Sequence, residues 1–253
     1  MTNRSKATEG PNVWEAGSER RRPGWNPRSL GLPADLDSQL ALRAAQSNCT
    51  VLITGETGVG KGLLARWLHD QSPRREGPFI PVNCGAIPDT LIDSQLFGHE
   101  RGSFSGATAD HLGLVRAAGT GTLLLDEVSE LPHSAQTRLL RLLQDREVQP
   151  IGHPRPIVVD VRVIAATNVE LGRITHEGRF REDLLFRLDV IRLCVRPLRD
   201  RSAEIPVLAD AFNREFAGLY GQAPLEFEPD AVRTLTNYHW PGNIRQLRTL
   251  IER

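Results

Sequence analysis

Thr50-Val51-Leu52-Ile53-Thr54-Gly55-Glu56-Thr57-Gly58-Val59-Gly60-Lys61 is the stretch on which the reading of this chain turns. Its first five residues form a short apolar, β-branched run, the pattern of a strand buried on both faces. The spacing of Lys61–Gln71 predicts a helix. Between them lies G-x-x-x-x-G-K, in the strand–loop–helix context that lets backbone N–H groups wrap a phosphate chain. The start of the helix adds a favourable dipole, and Lys61 reaches the β- and γ-phosphates. A plain glycine-rich turn is the bland alternative. Lysine usage argues against it: of 31 basic residues only Lys6 and Lys61 are lysine, leaving 29 arginines. After Lys61 stands Gly62, where a Ser or Thr hydroxyl would ligate Mg²⁺. A glycine in a first helical turn also costs about 1 kcal/mol relative to alanine.

Working outward, Ala34–Ser47 has helical spacing. Phe79–Asn83, Thr122–Leu125 and Val158–Ala166 read as further buried strands, and Ala135–Asp145 as a helix with a leucine face. Strands alternating with helices predict an α/β domain with a mostly parallel sheet over residues 34–199. Beyond Arg196-Pro197-Leu198 the texture is helical only, with Ala203–Leu219, Pro229–Tyr238 and Asn243–Arg253, so 200–253 reads as a small helical lid. Residues 1–33 carry four prolines and Arg20-Arg21-Arg22 without periodicity. They read as a flexible, solvated tail rather than a nucleic-acid arm.

Composition narrows the function. At 253 residues, 40% hydrophobic and 25% charged, the chain can bury an ordinary globular core. Its formal net charge is zero, so no global field favours nucleic acid. Cys49, Cys84 and Cys194 have no metal-binding or disulfide spacing. No long apolar run or signal peptide is present, so a cytoplasmic protein without membrane contact is expected.

Two more strand ends carry chemistry. Leu123-Leu124-Leu125-Asp126-Glu127 ends in two carboxylates; Asp126 would hold Mg²⁺ and Glu127 would polarise the water attacking a γ-phosphate. A helix N-cap is the alternative, weakened by the phosphate loop upstream. Val163–Ala166 ends in Thr167-Asn168, which beside the other strand ends would face the γ-phosphate.

In their order these motifs resemble the AAA+ ATPase domain of bacterial enhancer-binding proteins, the activators of sigma-54 RNA polymerase. The resemblance rests on PVNCGAI, QLFGHERGSFSGA, GTLLLDEVSELP, LLRLLQ, RVIAATN, GRFREDLLFRL, PLRDR and HWPGNIRQL. It implies a three-layer αβα P-loop fold with a lid. It also implies ATP and Mg²⁺ as ligands of Gly55, Glu56, Thr57, Gly58, Val59, Gly60, Lys61 and Gly62, with Asp126 on the metal. Asn83 would be the switch that pairs with Glu127, Arg181 and Arg187 the fingers acting on a neighbour's ATP in a homo-hexamer, and Arg245 the second sensor. Gly102-Ser103-Phe104-Ser105-Gly106-Ala107 matches the loop that grips sigma-54, with Phe104 as an exposed anchor; a turn burying Phe104 is the alternative. The chain departs from the family at Ser103, Ser105, Gly62 and Arg116. No DNA-binding helix-turn-helix follows Arg253, so promoter contact is expected only indirectly. A different client, or nucleotide-driven assembly with weak hydrolysis, are the rival readings.

Overall fold

The computed structural model describes residues 36–253; the expected tail at 1–33 lies outside them. In chain order the elements are α1 (Ser38–Gln46), β1 (Val51–Thr54), α2 (Lys61–Asp70), β2 (Phe79–Asn83), α3 (Asp89–Phe97), α4 (Leu114–Ala117) and β3 (Thr122–Asp126). Then come α5 (His133–Asp145), β4 (Glu147–Val148), β5 (Ile157–Val158), β6 (Arg162–Thr167), α6 (Leu171–His176), α7 (Glu182–Leu188) and β7 (Ile191–Cys194). The chain closes with α8 (Ile205–Tyr220), α9 (Pro229–Asn237) and α10 (Asn243–Glu252).

Five strands form one sheet in the order β2-β3-β6-β1-β7, every neighbouring pair parallel. The period-2 alternation of a strand sends its residues to opposite faces. Leu52, Leu123, Leu125, Val163 and Ala165 join one core with α3, α5, α6 and α7. Val51, Ile53, Leu124, Ile164 and Ala166 join a second core with α1 and α2. With both faces covered, the strands have no polar face to show, which is why they read as unbroken apolar runs. The result is a three-layer αβα sandwich. A third core of Leu198, Ile205, Leu208, Phe212, Phe216, Trp240, Ile244 and Leu247 holds the C-terminal helices together.

The run 158–166 is not one strand. Ile157 and Val158 pair antiparallel with β4, and the central sheet begins only at Arg162. The break has polar causes. Val159 N–H donates to Arg146 at 2.8 Å, Arg146 Nη1 donates to Val161 at 2.9 Å, and the Asp160 carboxylate takes Arg74 Nη2 at 2.5 Å. Hydrophobicity alone does not register these turns. β7, too short and too mixed to announce itself, completes the sheet beside β1.

Arg162 shows how the layers are tied. Its guanidinium is buried and donates to Ala44 O and Ala45 O, at 2.6 and 3.2 Å, at the C-terminal end of α1. Carbonyls run out of intrahelical donors at this end; Ala44 O also takes Ser47 N–H and Oγ, at 3.2 and 3.0 Å, and the cation adds to these and complements the helix dipole.

Candidate nucleotide-binding site

Parallel α/β sheets bind ligands off the carboxyl ends of their strands, where the strand order reverses. Here β1 lies between β6 and β7, and the loop 55–60 leaves it at that point. Gly55, Gly58 and Gly60 have φ of 151°, 80° and 103°. A Cβ at Gly55 would stand 2.5 Å from Val195 O, and one at Gly58 would collide with Gly242 O. The loop is therefore held close to both the end of the neighbouring strand β7 and the lid, at positions only glycine can occupy. None of the amide N–H groups of residues 56–60 donates to an acceptor among the described residues. Five successive unpaired donors beside the start of α2 make a nest suited to phosphate oxygens.

Lys61 is buried at the first position of α2, with Nζ 2.8 Å from Gly55 O and 3.0 Å from Glu56 O. Burial lowers its pKa from the usual lysine value, while Asp126 and Glu127 oppose that shift and Arg245 adds to it. The charges of both carboxylates and of the lid arginine are thus felt at one ammonium. Gly62 is exposed, and a Cβ there would meet open space.

The neighbouring strand ends supply the rest. Asp126 closes β3 and accepts from Glu127 N–H at 3.1 Å. Glu127 has φ 56°, a left-handed backbone that turns its carboxylate off the strand line toward Gly85, whose absent Cβ would lie 2.7 Å from Oε2. Asn83 is not bonded to Glu127; its Oδ1 accepts from Gly85 N–H and Ala86 N–H at 2.9 and 3.2 Å. The two side chains meet only across Gly85. Between them Cys84 is buried, its thiol pushed up to about 12 chiefly by burial, which leaves it unreactive.

Thr167 and Asn168 divide. Thr167 is buried, with its hydroxyl against Ser129 Oγ and bonded within the turn to Val169, so it faces inward. Asn168 Nδ2 instead reaches Thr57 Oγ1 in the loop at 3.0 Å. Of the two, only Asn168 is bonded to the phosphate loop.

Arg181 precedes α7 and makes a two-point pair with Asp183, while Arg187 is exposed in the last turn. Neither is bonded to the phosphate loop. Arg245 opens α10, and its backbone N–H donates to Gly58 O at 3.3 Å. Three further lid and linker residues touch the loop: Arg199, Arg201 and Asn243. PLRDR and GNIRQL contain them, but a contact between positions 56 and 199 leaves no periodic trace in sequence.

The segment 102–107 stands on a narrow base where Gly98 and Gly113 bring their backbones together and His99 pairs with His111. Gly102 and Gly106 have φ of 81° and 110° and nothing within 4 Å of a Cβ. Gly102 N–H bonds Ala107 O at 2.8 Å, so the segment closes as a tight turn. Phe104 is 39% exposed and rests edge-on against His99, the ring centroids 5.0 Å apart. It is neither a free anchor nor a core residue. Ser103 Oγ is buried without a partner, while Ser105 and Ala107 stand exposed and buried respectively.

No helix among the described residues is long and apolar enough to cross a membrane. Comparison with known proteins bears on the whole arrangement. Residues 35–194 match the family model described as the Sigma-54 interaction domain, and residues 199–253 that of an AAA+ ATPase lid domain. The regulatory protein AtoC of Escherichia coli is 49% identical over 211 residues, 83% of this chain and 46% of its own length. The sigma54-dependent transcriptional activator SfnR of Pseudomonas putida is 47% identical over 226 residues, 89% of this chain and 60% of its own. The chain thus spans about half the length of curated relatives such as AtoC. NtrX from Brucella abortus, crystallised in complex with ATP, superposes with a TM-score of 0.80 at 38% identity, over 85% of this chain and 47% of that one. With the matched order of strands, phosphate loop and lid, these likenesses place the chain in the sigma-54 interaction family of AAA+ ATPase domains.

Proposed function

We propose that this chain hydrolyses ATP as a hexameric ring and uses the energy to remodel the sigma-54 closed promoter complex through the 102–107 loop. The observation that carries the proposal is the meeting of the loop amides, buried Lys61 held to the loop carbonyls, and the Asp126-Glu127 strand end, whose charges act on Lys61. Nucleotide-bound NtrX supports the ligand class, and the family supports the client.

In this reading Lys61 leaves the two loop carbonyls for phosphate oxygens, trading neutral acceptors for anionic ones. Asp126 would hold Mg²⁺ together with the phosphates; Gly62 offers no hydroxyl, so the carboxylate and the phosphates carry the ion. The ion supplies charge neutralisation on the phosphate chain. Glu127 takes up the proton of the attacking water, and Asn168 reports on the phosphates through Thr57. Asn83 would engage Glu127 by exchanging its present bonds around Gly85. Arg181 and Arg187, which make no bond to their own loop, act on a neighbour's ATP, where the planar fork suits the developing charge. Phe104 would move off His99 to meet the client.

Glu127→Gln is the test. It is expected to keep ATP binding and to lower turnover by about 10²-fold or more, the size of a lost catalytic base. Turnover equal to the parent's overturns the assignment. A complex with sigma-54 seen only when nucleotide is trapped in a transition-state-like form supports the loop reading; an assembled ring that makes none points to another client.

A further inference from the structure

Every carbonyl of the phosphate loop from Gly55 to Val59 is held, those of residues 57–59 by groups remote in sequence. Lys61 takes Gly55 O and Glu56 O. Asn243 Nδ2 donates to Thr57 O at 3.0 Å, Arg245 N–H to Gly58 O at 3.3 Å, and Arg201 Nη2 to Val59 O at 2.8 Å. In a planar trans peptide the carbonyl of one residue and the N–H of the next point in opposite directions. Fastening the carbonyls of residues 57–59 to the linker and lid therefore turns the N–H groups of Gly58, Val59 and Gly60 the other way. Those are the donors left unpaired for phosphate.

A second tie runs through the Glu56 side chain. Its two oxygens take both terminal nitrogens of Arg199, at 2.6 and 2.9 Å, and Oε2 also accepts from Asn243 Nδ2 at 3.2 Å. Asn243 is fully buried, sits at φ 51°, and uses Oδ1 to accept from Leu198 N–H at 2.8 Å. One asparagine thus joins the linker, the loop backbone and the loop carboxylate, in a left-handed conformation that asparagine tolerates better than most residues. Hydrogen bonds from Arg199 and then Asn243 hold the Glu56 carboxyl down at about 2, against 4.5 ordinarily. The pair is therefore ionised throughout the range in which the protein would be assayed.

We propose that Arg199 and Asn243 are positioning residues which, through Glu56 and Thr57, keep the loop amides in their phosphate-gripping orientation, so that the seat of the lid on the loop sets nucleotide affinity. This rests on the nucleotide reading above. It assigns the lid a second route to the phosphates besides Arg245, one that acts on the backbone of the loop. The two-point geometry requires a guanidinium; an ammonium supplies the charge without the fork.

The test uses the full chain as parent, Arg199→Gln, Arg199→Lys, Glu56→Gln and the Glu56→Gln/Arg199→Gln double variant. Two quantities are read: the dissociation constant of a ribose-labelled fluorescent ATP, and hydrogen exchange, without nucleotide, of the Leu198 and Arg245 amides that tie linker and lid to Asn243 and the loop. Arg199→Gln is expected to weaken binding about fivefold, the upper end for an exposed ion pair, and to speed exchange of these amides by a similar factor. Arg199→Lys recovers only part of that. The double variant loses no more than either single one, because both remove the same pair. Melting temperatures should stay close to the parent's, and Glu56→Gln, nearly isosteric, serves should Arg199→Gln fail to fold. Parental affinity and parental exchange in Arg199→Gln, with a parent that binds the analogue, overturn the clasp and leave the nucleotide site standing. Additive losses in the double variant overturn the pairing. A parent that does not bind the analogue overturns the nucleotide reading, and the clasp with it.

Discussion

At the scale of single residues, backbone freedom and unpaired polar atoms give the sharpest expectations. Gly62 has a helical backbone and open space where a Cβ would go. Gly62→Ala should raise stability by about 0.5–1 kcal/mol through helix propensity and a less flexible unfolded chain, read as a higher denaturant midpoint. Gly58→Ala should do the opposite, because φ 80° disfavours a side chain and its Cβ meets Gly242 O. The lid would be pushed off the loop, and ATP affinity should drop more than stability does. Ser103 is a milder case. Its buried hydroxyl has no partner, so Ser103→Ala should stabilise by about 1 kcal/mol, with no loss of loop geometry on hydrogen exchange.

At the scale of elements, Arg162 fastens α1 to the central strand. Its pKa is lowered by burial, yet its two bonds to helix-terminal carbonyls keep the charge worth holding. Removing it takes a charged donor from both carbonyls, though Ala44 O keeps Ser47, and leaves a void between layers. Arg162→Ala should therefore cost about 3 kcal/mol or more, measured by denaturant unfolding with an unchanged m-value. The elements also show where sequence reading succeeds and stops. β1, β3 and β6 announce themselves because burial on both faces removes every polar residue that could blur the pattern. The hairpin of β4 and β5 does not, because Arg74, Arg146 and Asp160 make its turns through contacts with distant backbone. The start of α1 at Ser38 follows from Asp37, whose carboxylate caps Leu40 N–H at 2.9 Å.

At the scale of the whole molecule, stability should depend on pH through its buried imidazoles. His69 lies bonded to Thr122 Oγ1 at 2.9 Å, and burial lowers its pKa below 6.5. His111 is lowered too, by burial and then by His99. Below pH 6.5 the unfolded chain binds more protons than the folded one, so stability falls as pH drops through that value and is complete above it. The unfolding midpoint should therefore decline between pH 7.5 and 5.5, with a shallower slope in His69→Leu. Glu56 acts lower on the scale, its contribution present above pH 4.5 and fading as pH falls toward about 2. Ring formation belongs here as well. On the proposed trans arrangement, mixing Arg187→Ala protein with Glu127→Gln protein should recover ATP turnover that neither has alone, at sites where an intact Glu127 meets a neighbour's intact Arg187.

The chemistry-bearing residues and the αβα layering were legible in the amino-acid sequence, because both depend on local facts. Glycine spacing permits a phosphate nest wherever a strand feeds a helix, and apolar runs demand cover on both faces. The expected roles of Lys61, Asp126 and Glu127 need only such strand-end placement. Other features were decided by which of several capable partners, near or far in the chain, the folded structure brought to each group. Thr167 turned its hydroxyl into the protein because Val169 and Ser129 lay there; Asn83 capped a turn of its own; Phe104 settled against His99. The loop took its shape from Arg199, Arg201 and Asn243, which approach Glu56, Thr57 and Val59 only once the third core folds the lid back over the sheet. Hydrogen bonds are directional and short, so which of several capable partners a polar group takes is fixed by where packing puts it, and packing is a property of the whole chain.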